Sequence, residues 1–146
     1  MSVNTRPRVV LVNRCFVRRE DGRLLLLRRA PDKENNADKW EVPGGKVDEG
    51  QDLVRAQERE VMEETGLLVQ AIVPLVFVDS YLIGAGRYKG LPYVALFSIT
   101  KLLGGNLTIS DEHTDFTWVS YEEMLTFDLT HQVKKAAIVL KPHLIP

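Results

Sequence analysis

Four consecutive leucines, Leu24 to Leu27, stand between arginines in the stretch "RLLLLRR" (Arg23 to Arg29). A run so short and so continuously apolar predicts a buried strand. Just upstream, "RVVLVNRCFVRR" (Arg8 to Arg19) is rich in β-branched residues, and "EDG" (Glu20 to Gly22) supplies an Asp-Gly turn. The two segments are therefore expected to pair as a hairpin. The first apolar run is broken by Asn13 and Arg14, and it is too short to cross a membrane.

Further strands are expected over "LLVQAIVPLVFVDSYL" (Leu67 to Leu82), one or two of them with a break at Pro74, and over "LPYVALFSITKLLGG" (Leu91 to Gly105). "DFTWVSYEEM" reads as a strand running into a short helix. "APDKENNADK" (Ala30 to Lys39) is polar and punctuated, a loop, and "DSYLIGAGRYKG" (Asp79 to Gly90), with three glycines, is a mobile loop or hairpin tip. Its use as a lid or as a contact in a homodimer is left open. Gln51 to Thr65 lacks Pro and Gly and predicts a helix, preceded by Asp48 and Glu49 and closed by Gly66. In "THQVKKAAIVLK" (Thr130 to Lys141) Val133, Ala136, Ala137 and Leu140 fall on one helical face, with Thr130 as N-cap and Pro142 as stop. Strands mixed with two or three helices give an α/β or α+β sandwich. With 146 residues, 45% of them apolar and 27% charged, the chain suffices for one domain, residues 1–146.

A formal net charge of −1 argues against binding to duplex DNA, but not against small anionic ligands. With one cysteine, Cys15, no intrachain disulfide forms, and no targeting or membrane segment is visible; the expected location is cytoplasmic. Cys15 itself is expected to be a buried thiol rather than a nucleophile.

The chemistry concentrates in "VPGGKVDEGQDLVRAQEREVMEETGL" (Val42 to Leu67). At about 100° per residue, Glu60, Glu63 and Glu64 share an arc of the helix with Leu53 and Ala56, while Arg55 and Arg59 lie to one side. Like charges at this spacing repel. Carboxylates clustered beside apolar residues make an oxygen-rich site suited to Mg²⁺ or Mn²⁺. Gly44 and Gly45 let the backbone take positive φ and approach a ligand closely, with carbonyls as further oxygen donors.

Gly45, five residues, Gln51, seven residues, then Arg59-Glu60, Val61, Glu63-Glu64, Gly66 and Leu67 closely resembles the Nudix box, G-x5-E-x7-R-E-U-x-E-E-x-G-U, over residues 45–67. Each defined position matches except Gln51, which stands for the first glutamate. The segment before the box, "LLRRAPDKENNADKWEVPGG", and "DEHTDFTWVS" after it resemble the MutT-like branch of that family. The resemblance implies a Nudix-type α/β/α sandwich with a mixed sheet. It also implies metal-dependent hydrolysis of a pyrophosphate bond in a nucleoside diphosphate derivative, with an ordinary or oxidised nucleoside triphosphate as the leading substrate.

By position, the resemblance makes Glu60 and Glu64 the main metal ligands, with Glu63 directly or through water and the Gly44 carbonyl as a further ligand. Glu112, or its neighbour Asp111, would bind metal or accept a proton. Arg29, with Arg28 as competitor, would contact phosphate, and Arg59 would orient the loop and carboxylates. His131 falls where the branch contacts the base, and Trp40 and Tyr81 are candidates to stack on it. The diagnostic proline of ADP-sugar hydrolases, a coenzyme A signature and the pattern of isopentenyl diphosphate isomerases are not seen. The alternative function is a nucleotide-binding sensor, but such domains usually lose the glutamates at positions 60 or 64. Gln51 keeps the shape and hydrogen bonds of glutamate without its charge, so reduced or re-tuned metal affinity is expected rather than a dead enzyme.

Overall fold

The computed structural model describes residues 8–48 and 50–145. Glu49, placed before the helix in the sequence reading, and the first seven residues lie outside them. The strands are β1 (Val10–Arg18), β2 (Leu24–Arg29), β3 (Trp40–Glu41), β4 (Gly44–Lys46), β5 (Leu67–Leu82), β6 (Pro92–Gly105) and β7 (His113–Val119). The helices are α1 (Leu53–Thr65), α2 (Tyr121–Met124), α3 (His131–Val139) and α4 (Lys141–Leu144). One mixed sheet runs β3-β2-β1-β6-β5, with β4 added to β1 and β7 to β2.

The leucine run explains the layering. Leu24 and Leu26 point into one core with Phe16, Phe97, Met124, Val133 and Leu140. Leu25 and Leu27 point into another with Cys15, Val17, Val61, Leu67 and Val69. All four leucines are fully buried. A strand buried on both faces needs cover on both, and α1 supplies one layer while α2, α3 and α4 supply the other. This is the α/β/α sandwich with a mixed sheet that the sequence implied.

β1 pairs in parallel with β6 along its whole length, from Val10↔Tyr93 to Arg18↔Lys101. Its hairpin with β2 is real only at the base, where the one register pair is Arg18↔Leu24. Beyond it the strands diverge. β1 takes β4 as its partner at Arg14↔Gly44, and β2 takes β3 and β7. The sheet therefore opens into a cleft between β1/β4 and β2/β3. β5 runs through Pro74 as one strand, with register irregularities on either side of it.

α1 starts two residues later than its composition suggested. Asp52, not Gln51, is the N-cap, and its Oδ1 accepts the N–H groups of Val54 and Arg55, both at 3.0 Å. Gly66 ends it in the left-handed conformation at φ 71°. α3 is capped by Thr130 as expected. Pro142 does not simply stop α3; it sits in the first turn of α4, where its missing N–H has no helical partner to lose.

Candidate active site

The cleft left by the divergence of β1 and β2 holds a cavity of about 750 Å³. Its walls come from β1 and β4 on one side, the ends of β2 and β3 on another, and α1, the 31–39 loop and the 83–91 loop around them.

The glycine pair shapes one wall, for a reason other than the one expected. Neither Gly44 nor Gly45 has positive φ; both lie in β4. What they permit is contact. A Cβ on Gly44 would collide with the Asn13 carbonyl and come within 2.8 Å of the Arg14 Cα, both backbone. A Cβ on Gly45 would lie 2.5 Å from the Glu60 carboxyl carbon. Removing both side chains lets β4 run against β1 and lets α1 bring its carboxylates to the strand.

Two of the three box glutamates reach the cavity. Glu60 and Glu64 line it, whereas Glu63 is exposed and does not. Arg59 is not remote from the acidic arc: its guanidinium lies 3.5 Å from both Glu60 and Glu63 on the outer face of α1. Glu64 is buried, and its carboxylate accepts the Gly44 N–H at 3.3 Å. Burial pushes its carboxyl up to about 9, against the pull of Arg14, and the nearby charges of Glu41 and Glu112 add to the rise. Glu60 is raised too, by burial and then by the like charge of Glu63.

Glu112 joins the site through backbone ties. Ser110 N–H donates to the Glu64 carbonyl at 3.1 Å, and Ala30 N–H donates to the Glu112 carbonyl at 3.0 Å. These hold the loop before β7 between α1 and β2. The Glu112 side chain is exposed at the cavity rim, 3.9 Å from Lys33. Among the described residues, no three carboxylate, imidazole or thiol groups converge into a ready-made metal cluster. The donor chemistry nevertheless fits a hard divalent cation: Glu60 and Glu64 are oxygen donors whose carboxyls burial raises despite Arg59 beside the first and Arg14 near the second. Gln51 does not line the cavity; its Oε1 accepts the Asp48 N–H at 2.8 Å and closes the turn before α1. That job needs an acceptor but no charge, which is why glutamine serves.

The opposite wall carries a buried ionic cluster that the sequence reading missed. Glu41, on β3, is only 5% exposed and faces Arg14 at 3.2 Å, Arg29 at 3.1 Å and His113 Nε2 at 2.9 Å. Burial alone would raise the Glu41 carboxyl, but Arg14, the His113 hydrogen bond and Arg29 together hold it down at about 2. Arg14 is held firmly protonated by Glu41 against its own burial. Facing an anion, His113 Nε2 is the donor, and its Nδ1 has no partner among the described residues. The pairing of β2 with β7 slips between Arg28 and Arg29. Such a bulge re-aims a side chain. Arg29 lines the cavity, and Arg28 turns away toward Asp38.

The far end of the cavity is aromatic. Tyr81 and Tyr93 pack at a 35° tilt with centroids 4.8 Å apart, and Gln132 lines the cavity beside them. His131 is exposed and does not line it; the next residue along α3 does. Trp40 packs edge-on to Phe127 at 5.2 Å and belongs to the core. Ile83 to Ala85, Arg87 and Tyr88 form the wall supplied by the 83–91 loop, where the Lys46 ammonium sits 4.2 Å above the Tyr88 ring. Cys15 is fully buried, its thiol pushed up to about 12 by burial, and is no nucleophile. No helix among the described residues is long and apolar enough to cross a membrane.

Comparison with known proteins agrees with this architecture. A model of the NUDIX domain family matches residues 8–140. The chain is 29% identical over 128 residues to the nucleoside triphosphatase NudI of Escherichia fergusonii, covering 83% of this chain and 89% of that protein. It is 30% identical over 120 residues to the protein of the same name from Salmonella agona, covering 79% and 85%. Among solved structures, the MutT protein of Methanosarcina mazei Go1 superposes with a TM-score of 0.80 at 25% identity, covering 97% of this chain and 98% of that one.

Proposed function

The chain belongs to the NUDIX family and is a Nudix hydrolase, and from that premise we propose that it hydrolyses a pyrophosphate bond of a nucleoside triphosphate with the help of Mg²⁺ or Mn²⁺. One observation carries the proposal. Glu60 and Glu64 face, across one cavity, an arginine aimed inward by a strand bulge. Carboxylates without adequate compensation suit a cation, and the arginine suits the phosphates that come with it. The named activity of the NudI relatives supports a triphosphate substrate.

In this reading Glu60 and Glu64 hold the cation, with the Gly44 carbonyl as a neutral donor. When bound, the ion supplies charge neutralisation and Lewis acidity at the phosphoryl oxygens. Arg29, anchored on Glu41 and on the Asn35 carbonyl, fixes the phosphate chain. Glu112, at the solvent rim, accepts the proton of the attacking water. Arg59 restrains Glu60 and Glu63 from outside. Tyr81, Tyr93 and Gln132 form the wall against which the base lies, a role assigned to Gln132 in place of His131. The proposed location is the cytoplasm.

The test is a panel of ordinary and oxidised nucleoside triphosphates with Mg²⁺, read as pyrophosphate or phosphate release, with Glu64→Gln as control. Turnover of at least one triphosphate, lost in Glu64→Gln and in chelator, is expected. Tight nucleotide binding without turnover of any of them would refute the proposal and leave the sensor reading.

A further inference from the structure

Arg14 is out of place for a strand residue. It sits midway along β1, the strand flanked by β6, β4 and β2, and with Asn13 interrupts an apolar run. Its side chain is 13% exposed. A guanidinium costs free energy to bury unless it is paired, and it is kept where planar, directional hydrogen bonding matters.

Counterion duty to Glu41 does not account for it. Glu41 already receives Arg29 Nη1 on both oxygens and His113 on one. With Arg14 added, two guanidiniums sit at ion-pair distance from one carboxylate, with Glu64 a weaker influence on Arg14, and both line the cavity. Nor are its donors exhausted. Nη1 serves Glu41 and the Val42 carbonyl, and Nη2 makes one long bond of 3.4 Å to the Tyr93 hydroxyl. An arginine has five N–H groups; the Nε–H and one Nη2–H of Arg14 have no acceptor among the described residues.

We propose that Arg14 is a second phosphate ligand for the substrate, aimed by Glu41 and Tyr93 and acting as a pair with Arg29. The inference rests on the polyphosphate reading of the cavity given above. Anchoring both guanidiniums on the same buried carboxylate fixes their separation, so they grip two neighbouring phosphoryl groups rather than one. Tyr93 couples the grip to the aromatic end of the cavity, since its ring packs against Tyr81 and its hydroxyl accepts from Arg14.

The experiment compares wild type, Arg14→Lys and the double variant Arg14→Gln/Glu41→Gln. Arg14→Lys keeps a cation beside Glu41 without the planar fork, whereas the double variant removes the Arg14–Glu41 pair and leaves Arg29 beside a neutral amide. Binding of inorganic tripolyphosphate with Mg²⁺ is read by calorimetry, and nucleoside triphosphate turnover is read beside it. The expected result for Arg14→Lys is an unchanged melting temperature with a roughly tenfold or greater rise in both tripolyphosphate Kd and KM, larger than the fall in kcat. Kd and KM within about twofold of wild type in both variants would overturn the proposal, as would a loss of thermal stability with binding unchanged. If wild type turned over no nucleotide yet Arg14→Lys weakened tripolyphosphate binding, the function proposal would fail and the role of Arg14 would stand.

Discussion

Replacing Glu64 by glutamine is expected to make the protein more stable as it makes it inactive. The Glu64 carboxyl lies near 9 in the folded chain against an ordinary 4.5. Between those values the unfolded chain has released the proton and the folded chain still holds it. The folded state therefore binds more protons, and stability falls as pH rises through this window. At about pH 7.5 the loss reaches at most about 4 kcal/mol, and water entering from the open cavity reduces it to about 2 kcal/mol. Glutamine has the shape and the oxygen acceptor for the Gly44 N–H but no proton to lose.

The assay is thermal unfolding in chelator across that pH range. At about pH 7.5, Glu64→Gln is expected to melt roughly 5 °C above wild type, using about 2–4 °C per kcal/mol for a chain of this size. Near pH 3.5 the two should melt together, because the wild-type carboxyl is then protonated in both states. Saturating Mg²⁺ should raise the wild type and not the variant, and cation binding to wild type near neutral pH should release close to one proton per ion. A variant no more stable than wild type in chelator, or a gap that does not widen with pH, would refute the reasoning that Glu64 is an uncompensated buried acid.

The neighbouring positions give sharper contrasts. Gly44→Ala forces a Cβ into the backbone of Asn13 and Arg14 and should cost about 3 kcal/mol in denaturant unfolding; Gly45→Ala meets the movable Glu60 carboxylate and should leave stability within about 1 kcal/mol while weakening Mg²⁺ binding roughly tenfold. Glu41→Gln strips Arg14 and Arg29 of their counterion and should cost about 3 kcal/mol near neutral pH. Because the Glu41 carboxyl is held down at about 2, its contribution is complete above the unfolded value of about 4.5 and disappears as pH falls through the lower one, so the melting difference should shrink over that interval. Gln51→Glu retains the acceptor for the Asp48 N–H and should change Mg²⁺ affinity by no more than about threefold; a larger change in a calorimetric titration would mean that the lost charge acts on the cavity directly.

What the chain's sequence made legible follows from interaction range. The double-sided burial of Leu24 to Leu27 and the turn signal at Gly66 are local, and the structure bears them out. The spacing of Glu60 and Glu64 puts them on one helical face for the same reason. The cleft was not legible, because it depends on β1 leaving β2 for β4, a choice set by glycines some thirty residues away. Nor was the Glu41 cluster, whose partners stand 12, 27 and 72 residues from it in the chain (41−29, 41−14 and 113−41). Its local trace is Arg14, a charge inside a largely apolar strand. The expectation of positive φ at Gly44 and Gly45 failed because glycine is also chosen for want of a Cβ, and sequence does not tell the two reasons apart.

The two walls of the cavity are complementary in their defects. On α1, carboxylates are desolvated with too little positive charge beside them. On β1 and β2, two arginines share one carboxylate and carry positive charge to spare. The walls neutralise each other only in part: Arg14 pulls against the rise of the Glu64 carboxyl without preventing it. A cation alone would satisfy α1 and add to the surplus on the strands; an anion alone would do the reverse. A ligand of both signs, a divalent cation chelated to a polyphosphate, satisfies both walls at once. On this argument the free energy of binding comes from paired charges in a shared cavity, and the nucleoside, lying against Tyr81 and Tyr93, contributes selectivity more than strength.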